Sequence, residues 1–81
     1  MSLLFLNYFL NVIKMRWTNI KGIVEALEEN YPDENITNIS FPKLHKRIIS
    51  LLDFDDDPST SNEQILEAIQ KRWIELRQDN E

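Results

Sequence analysis

The stretch Asp53-Phe54-Asp55-Asp56-Asp57-Pro58 separates the second and third of three predicted helices. Four carboxylates fall within five residues, and a proline follows them. Like charges this close repel each other, so neither helix nor strand propensity explains their presence. The run is typical either of a solvated acidic loop or of a surface that binds a cation or a basic protein patch.

The composition restricts the chemistry that the chain can carry. Eighty-one residues make one small domain with a modest core. The absence of cysteine excludes disulfides, zinc–thiolate sites, cysteine-ligated clusters and thiol catalysis, and fits a reducing compartment such as the cytoplasm. Fourteen acidic and nine basic residues give a net charge of −5, which disfavours nucleic-acid binding and favours cations or basic proteins as partners.

Residues 1–14 differ in composition from the rest of the chain, because they are almost entirely apolar. The segment is too short to span a bilayer as a helix, and it lacks the charge and cleavage pattern of a signal peptide. We interpret it as an extension from an upstream start codon, with Met15 as the natural start of a domain over residues 15–81. The alternative is a genuine membrane-peripheral or partner-docking helix.

Apolar residues that recur every three or four positions predict the first two helices. The first helix begins after a cap at Thr18 or Asn19 and ends before Pro32. Its inner stripe consists of Ile20, Ile23, Val24, Leu27 and Tyr31. The second helix has Pro42 in its first turn and Phe41 at its start. Its inward positions are Leu44, Ile48, Leu51 and Leu52.

The third helix is predicted to run to about Arg77, with Thr60 as its cap and Glu63 reaching back to complete a capping box. Its inner stripe consists of Ile65, Ile69, Trp73 and Leu76, with Leu66 beside it. Residues 36–41 are partly β-branched and are predicted as an extended segment that pairs with the one around Trp17. The predicted fold is mainly α: a small three-helix bundle, winged-helix-like, with short extended segments.

Few residues suit catalysis. His45 is the single histidine, and it is typical of a packed or hydrogen-bonded residue as much as of a catalytic one. Lys43, Lys46 and Arg47 form the local basic cluster, which indicates either a solvated helix face or a docking patch. DNA binding through this cluster conflicts with the acidity of the whole domain. The chain is therefore predicted not to be an enzyme.

The acidic run differs from an EF-hand calcium-binding loop at two required positions. Asp53, Asp55 and Asp57 match the first three ligands of an EF-hand, but Pro58 replaces the required glycine and Gln64 the required glutamate. An open site for a hard cation is left as an alternative, and we expect it to bind weakly. Its candidate ligands are Asp53, Asp55, Asp56, Asp57, Glu63 and Glu67. The helix N-terminus attracts acidic side chains as well, which gives a purely structural reason for some of them.

Several short motifs together resemble the IscX family, small acidic accessory proteins of bacterial iron–sulfur cluster assembly. They are Trp17-Thr18, Glu25-Ala26-Leu27, Tyr31-Pro32-Asp33, Phe41, His45, the acidic run with Pro58, Ser61-Asn62-Glu63, Ile65-Leu66-Glu67-Ala68-Ile69 and Trp73. The resemblance covers about residues 15–78. It implies a compact helical, winged-helix-like, cytoplasmic protein, expected as a monomer.

The same resemblance implies binding to the cysteine desulfurase of the pathway and to other assembly proteins. It also implies weak surface binding of iron and a role as regulator or iron donor, whereas the alternative is an acidic interaction module without physiological metal binding. Neither nucleic acid nor membrane is an expected partner. The residues that carry both activities by resemblance are Asp53, Asp55, Asp56, Asp57, Glu63 and Glu67, with Asp33 added for partner binding.

The chain departs from the family pattern at three positions. Asn19 stands where the family usually has aspartate, Leu52 where an acidic residue is common, and Arg47 where an aromatic is found. These changes lower the negative charge or alter the surface near the expected site. We therefore expect weaker iron affinity, whereas desulfurase binding depends on the whole charge field and should be less affected.

Overall fold

The computed structural model describes residues 14–80, which contain three α-helices and two short 3-10 turns. The helices are α1, Ile20–Asn30, α2, Phe41–Ile49, and α3, Glu63–Asp79. The 3-10 turns are Ile36–Asn38 and Pro58–Thr60. This confirms the predicted mainly α, three-helix architecture. The prediction about the N-terminal extension concerns residues that lie outside the described part, apart from Lys14.

Each helix begins at a polar side chain that accepts a hydrogen bond from the first turn. Asn19 Oδ1 accepts from the Gly22 N–H at 3.0 Å, which confirms one of the two predicted caps of α1. Ser40 caps α2 in the same way. The predicted capping box of α3 is wrong, because Asn62 is its cap and Thr60 belongs to the preceding 3-10 turn.

The core lies where α3 packs against α1, with α2 and the Ile36–Asn38 turn closing it. Trp73 and Ile69 of α3 are fully buried, as are Ile23 and Leu27 of α1. Ile65 and Leu76, predicted on the inner stripe of α3, are only partly buried, whereas Leu66 is buried. The full set of buried residues is Met15, Trp17, Ile23, Val24, Leu27, Ile36, Ile39, Leu44, Ile48, Leu51, Leu66, Ile69 and Trp73.

The predicted pairing of residues 36–41 with the segment around Trp17 is wrong. Residues 36–38 form a 3-10 turn, and Phe41 already begins α2. The segment before α1 pairs instead with the loop after α2, through an isolated parallel bridge between Met15 and Phe54. The Met15 N–H donates to the Asp53 carbonyl at 2.7 Å, and the Asp55 N–H donates to the Met15 carbonyl at 2.8 Å.

Leu52 also contradicts the sequence prediction, because it is 97% exposed. The helical period that placed it inside ends with α2 at Ile49, where Ser50 caps the C-terminus. Leu51 still turns into the core, but its neighbour Leu52 points out. Within residues 14–80, none of the helices is long and apolar enough to cross a bilayer.

Candidate functional site

Trp17 holds the acidic loop, residues 53–57, against the start of the domain. Its main-chain N–H donates to Asp56 Oδ2 at 3.0 Å, and its indole Nε1–H donates to the Asp57 carbonyl at 2.8 Å. Trp17 itself is 3% exposed, so these bonds originate from a buried core residue. Together with the Met15–Phe54 bridge, they hold the acidic loop near both of its ends.

His45 and Phe54 support the Trp17 ring. The His45 ring stacks on it at 5.5 Å between centroids, and the Phe54 ring meets it edge-on at 4.8 Å. His45 Nε2 lies 2.8 Å from the Pro58 carbonyl oxygen. A carbonyl oxygen only accepts hydrogen bonds, so Nε2 must carry the proton. His45 is therefore a packed, hydrogen-bonded residue that links α2 to the end of the acidic loop.

Two carboxylates of the loop accept hydrogen bonds from main-chain N–H groups and a hydroxyl. The N–H groups of Trp17 and then of Asp57 donate to Asp56, and they hold the pKa of that carboxyl below its usual value. The main-chain N–H and the hydroxyl of Ser59 both donate to Asp57 Oδ1, and they lower the pKa of Asp57. Both groups are therefore ionised at neutral pH, and their orientation is fixed by the backbone they bind.

The other predicted ligands lie in the open. Asp55 is exposed and Asp53 half-buried, and neither side chain makes a hydrogen bond or an ion pair within residues 14–80. Glu63 and Glu67 are exposed on the first turns of α3. Asp33 is exposed in the turn after α1. The structure thus brings together residues 53–57 by their position in one loop, and gives no contact that joins Asp33 to them.

The carboxylates do not form a preorganised metal centre. Across the described residues, 14–80, no three Asp, Glu or His side chains are grouped so that they could hold a metal ion. Asp56 and Asp57 already use carboxylate oxygens to bind main-chain N–H groups. The donor set therefore does not fit a resident iron ion, and the predicted weak surface binding is not tested by this geometry.

The basic cluster on α2 is largely neutralised within the chain. Lys43 and Arg47 both contact Glu34, at 3.4 and 3.2 Å. The Arg47 guanidinium also lies 4.3 Å above the centre of the Tyr31 ring. Lys46 makes no ion pair within residues 14–80. The cluster joins α2 to the turn after α1, which agrees better with a structural role than with a docking patch.

A second polar network, not predicted from the sequence, lies at the far end of α3. Arg77 donates to Glu28 of α1, with a shortest contact of 2.9 Å, and to the main-chain carbonyls of Tyr31 and Glu34. The Trp73 indole N–H donates to the same Glu28 carboxylate at 2.8 Å. The available signal was that Trp73 and Arg77 are four residues apart and so share one face of α3.

Burial opposes ionisation of Glu28, but the hydrogen bonds from Arg77 and Trp73 and the charge of Arg77 outweigh it. The net effect lowers the pKa of Glu28 below its usual value. The network thus stabilises an ionised carboxylate between α1 and α3. Its groups bind one another, so the network contributes to the fold.

Comparison with known proteins gives two findings. A family model described as iron–sulphur cluster assembly matches residues 15–78. An uncharacterized protein of Pseudomonas aeruginosa is 37% identical over 65 residues, which cover 80% of this chain and 98% of that protein.

Proposed function

Because the chain belongs to the IscX family of iron–sulfur cluster assembly proteins, we propose that it is an accessory protein that docks on the cysteine desulfurase through its acidic loop. In this role it modulates sulfur delivery and carries out no chemistry of its own. A protein without cysteine has no thiolate with which to ligate a cluster, so it acts through contacts with the assembly machinery. We propose that this takes place in the cytoplasm.

The observation that carries the proposal is the fixed conformation of the acidic loop. A flexible acidic run loses conformational freedom when it docks, whereas a loop already held by Trp17 has little left to lose. Asp53 and Asp55 have no cationic partner within residues 14–80, so their charge is available to another protein. Electrostatic complementarity of this kind raises the association rate and makes binding sensitive to salt.

The direct test is calorimetric titration of the full chain into the cognate cysteine desulfurase at low and at high salt. The informative variant is Asp53→Asn with Asp55→Asn, because neither side chain supports the fold through a hydrogen bond. We expect weaker binding and a smaller salt dependence. A parallel assay of sulfur release from cysteine should show that the wild-type chain changes the desulfurase rate and that the variant does so less.

A matched control removes the same charge elsewhere. Glu75→Gln with Asp79→Asn acts at the C-terminal end of α3, about 18–24 Å along the helix from Glu63. It also removes the exposed ion pair of Glu75 with Arg72, at 3.6 Å, which contributes little to stability. This variant should bind almost as well as the wild type if the acidic loop makes the contact. The absence of any complex between the wild-type chain and the desulfurase at low salt would overturn the proposal.

Weak binding of iron as a cargo is the second candidate function. The feature in its favour is the pair of loop carboxylates, Asp53 and Asp55, that bind nothing else within residues 14–80. Carboxylate oxygens suit hard cations. Because the donors are not grouped into a centre, we expect low affinity and ready release.

Anaerobic titration with ferrous iron tests this candidate separately from docking. Replacing Asp53 and Asp55 by asparagine should abolish the weak binding, and equal binding by the variant would show that the assigned carboxylates are wrong. Replacing both by glutamate keeps the charge but changes the ligand geometry. Loss of iron with retained desulfurase binding in this second variant would separate the two functions.

A further inference from the structure

Leu52 stands at a position where an apolar side chain is unusual. The Phe54 N–H donates to the Leu51 carbonyl at 3.1 Å, which closes a β-turn with Leu52 and Asp53 as its central residues. Such positions usually carry Gly, Pro, Asn, Asp or Ser. The Leu52 side chain is nonetheless 97% exposed, and the Met15–Phe54 bridge holds the turn in place.

A groove of about 390 Å³ lies beside this turn, between it and α1. Leu51 and Leu52 line one side, and Gly22 and Ala26 of α1 contribute a small-residue wall. The full lining is Met15, Gly22, Glu25, Ala26, Glu29, Asn30, Leu51, Leu52 and Asp53. The groove is therefore a partly apolar site at the start of the acidic loop, whereas Trp17 binds the end of that loop.

Three carboxylates surround this apolar surface, and no lysine or arginine lines it. Glu25 and Glu29 are four residues apart on α1, so they share one face of the helix, and Asp53 adds a third charge. None of the three makes an ion pair within residues 14–80, and neither lysine nor arginine lines the groove. Lys21 and Arg72 lie on the other side of Glu25, where they line a small neighbouring pocket with it. The site therefore combines an exposed leucine with carboxylates that form no ion pair within residues 14–80.

We propose that this groove receives a segment of the basic partner in which an apolar side chain is flanked by lysine or arginine. The apolar side chain packs on Leu52, and the flanking cations pair with Glu25, Glu29 and Asp53. The inference rests on the proposed docking function and adds a location and an apolar anchor to it. Packing on Leu52 raises affinity through slower dissociation, whereas the carboxylates mainly set association rate and register.

Charge favours a basic protein segment in the groove over a second copy of the chain or a lipid surface. A second copy of the chain would bring two acidic surfaces together, and each chain carries a net charge of −5. Anionic lipid headgroups would be repelled for the same reason. A basic protein segment is the occupant that both the leucine and the carboxylates attract.

The test compares two exposed apolar residues in desulfurase binding. Leu52→Ser should weaken binding about tenfold with an unchanged salt dependence, because it removes only apolar contact. Ile49→Ser is the matched control, since Ile49 is 37% exposed, lies three residues away and does not line the groove. It should change the affinity by less than about twofold. Glu25→Gln with Glu29→Gln should weaken binding and reduce its salt dependence.

Each other outcome overturns the inference in a recognisable way. Equal binding by wild type and Leu52→Ser would refute the proposed role of the groove but not the proposed docking function. No binding by the wild type would refute both proposals. A dimer seen by sedimentation and abolished by Leu52→Ser would show that a second copy fills the groove. A large fall in Tm for Leu52→Ser in the free chain would show that the leucine is already covered without a partner, which would overturn the inference.

Discussion

The main-chain N–H of Trp17 donates a hydrogen bond to Asp56 Oδ2 at 3.0 Å, across thirty-nine residues of sequence. Through this bond the Asp56 carboxylate stabilises the fold, although it belongs to the same loop whose other carboxylates are available to a partner. Asp56 is therefore a structural member of the acidic loop, whereas Asp53 and Asp55 are its unpaired members within residues 14–80. The distinction predicts different consequences for removing each charge.

Protonation of Asp56 in acid should destabilise the domain. Its folded-state pKa is lowered, so its carboxylate stabilises the fold fully above the unfolded-state value of 3.8. That contribution is lost as the pH falls through the lower folded-state pKa. We expect Asp56→Asn to have a lower Tm than wild type at neutral pH and a smaller further loss on acidification below pH ~4. Thermal melts followed by circular dichroism measure both effects.

Asp55→Asn is the control for this prediction, because it removes the same charge from the same loop without removing a hydrogen bond. Its Tm should follow that of the wild type from neutral pH into acid. Parallel acid curves for wild type and Asp56→Asn would show that the Trp17–Asp56 bond does not contribute to stability.

The indole of Trp17 should protect the far end of the acidic loop from hydrogen exchange. Trp17→Phe keeps an aromatic ring and the main-chain N–H but loses the Nε1–H bond to the Asp57 carbonyl. The amides of Asp57, Ser59 and Thr60 should then exchange about tenfold faster, which corresponds to one lost hydrogen bond. Amide exchange followed by NMR gives the rates residue by residue.

Trp73→Phe provides a matched comparison, because Trp73 is also buried and also donates its indole N–H to a distant acceptor. It should destabilise the domain as a whole without a selective effect on residues 57–60. The same exchange pattern in both variants would mean that Trp17 acts through general stability and does not hold the loop locally.

The regular elements could be predicted because their information is local. The inner face of α1 follows from apolar spacing, and its cap at Asn19 follows from the preference of short polar side chains for that position. The start of α3 was missed because a proline-led 3-10 turn takes up Thr60, and Asn62 then serves as the cap. Both Thr60 and Asn62 are suitable N-cap residues, and propensity alone does not show which of them caps α3.

The arrangement of the site could be predicted only in part. The acidic residues are evident from the sequence, but their partner Trp17 is joined to them by tertiary contacts that leave no periodic pattern. Leu52 was misplaced because helical spacing was extended beyond Ile49, where the helix ends. The link between Glu28 and Arg77 was missed for the same reason as the Trp17 contacts, since it depends on how α1 and α3 cross.

Glu28 should be worth more to stability than its neighbour Glu29. Glu28→Gln replaces the carboxylate that binds both Arg77 and Trp73, so we expect the free energy of unfolding to fall by about 1–2 kcal/mol. Glu29→Gln, an equal change of charge at an exposed position of the same helix, should stay within about 0.5 kcal/mol of wild type. Urea unfolding followed by fluorescence measures the difference, and equal values for the two variants would contradict it.

Gly22 and Asn19 should show strong coupling at the start of α1. A Cβ on Gly22 would lie 2.7 Å from Asn19 Nδ2 and 3.0 Å from Oδ1, so Gly22→Ala requires the Asn19 side chain to shift. We expect this shift to break the cap that Asn19 Oδ1 makes with the Gly22 N–H. The gain in helix propensity, about 1 kcal/mol, is then offset by loss of the cap, also about 1 kcal/mol. In an Asn19→Ala background neither the close contact with the Asn19 side chain nor the cap is present. Gly22→Ala should there stabilise the protein by about 0.5–1 kcal/mol.

A double-mutant cycle in urea tests this coupling, and additive effects of the two substitutions would refute it. Asn19→Asp is the control background, because aspartate also caps helices and fills nearly the same space. Gly22→Ala should therefore be close to neutral in the Asn19→Asp background, as it is with the native Asn19. A gain in stability in that control background would show that the close contact at Gly22 is relieved without loss of the cap.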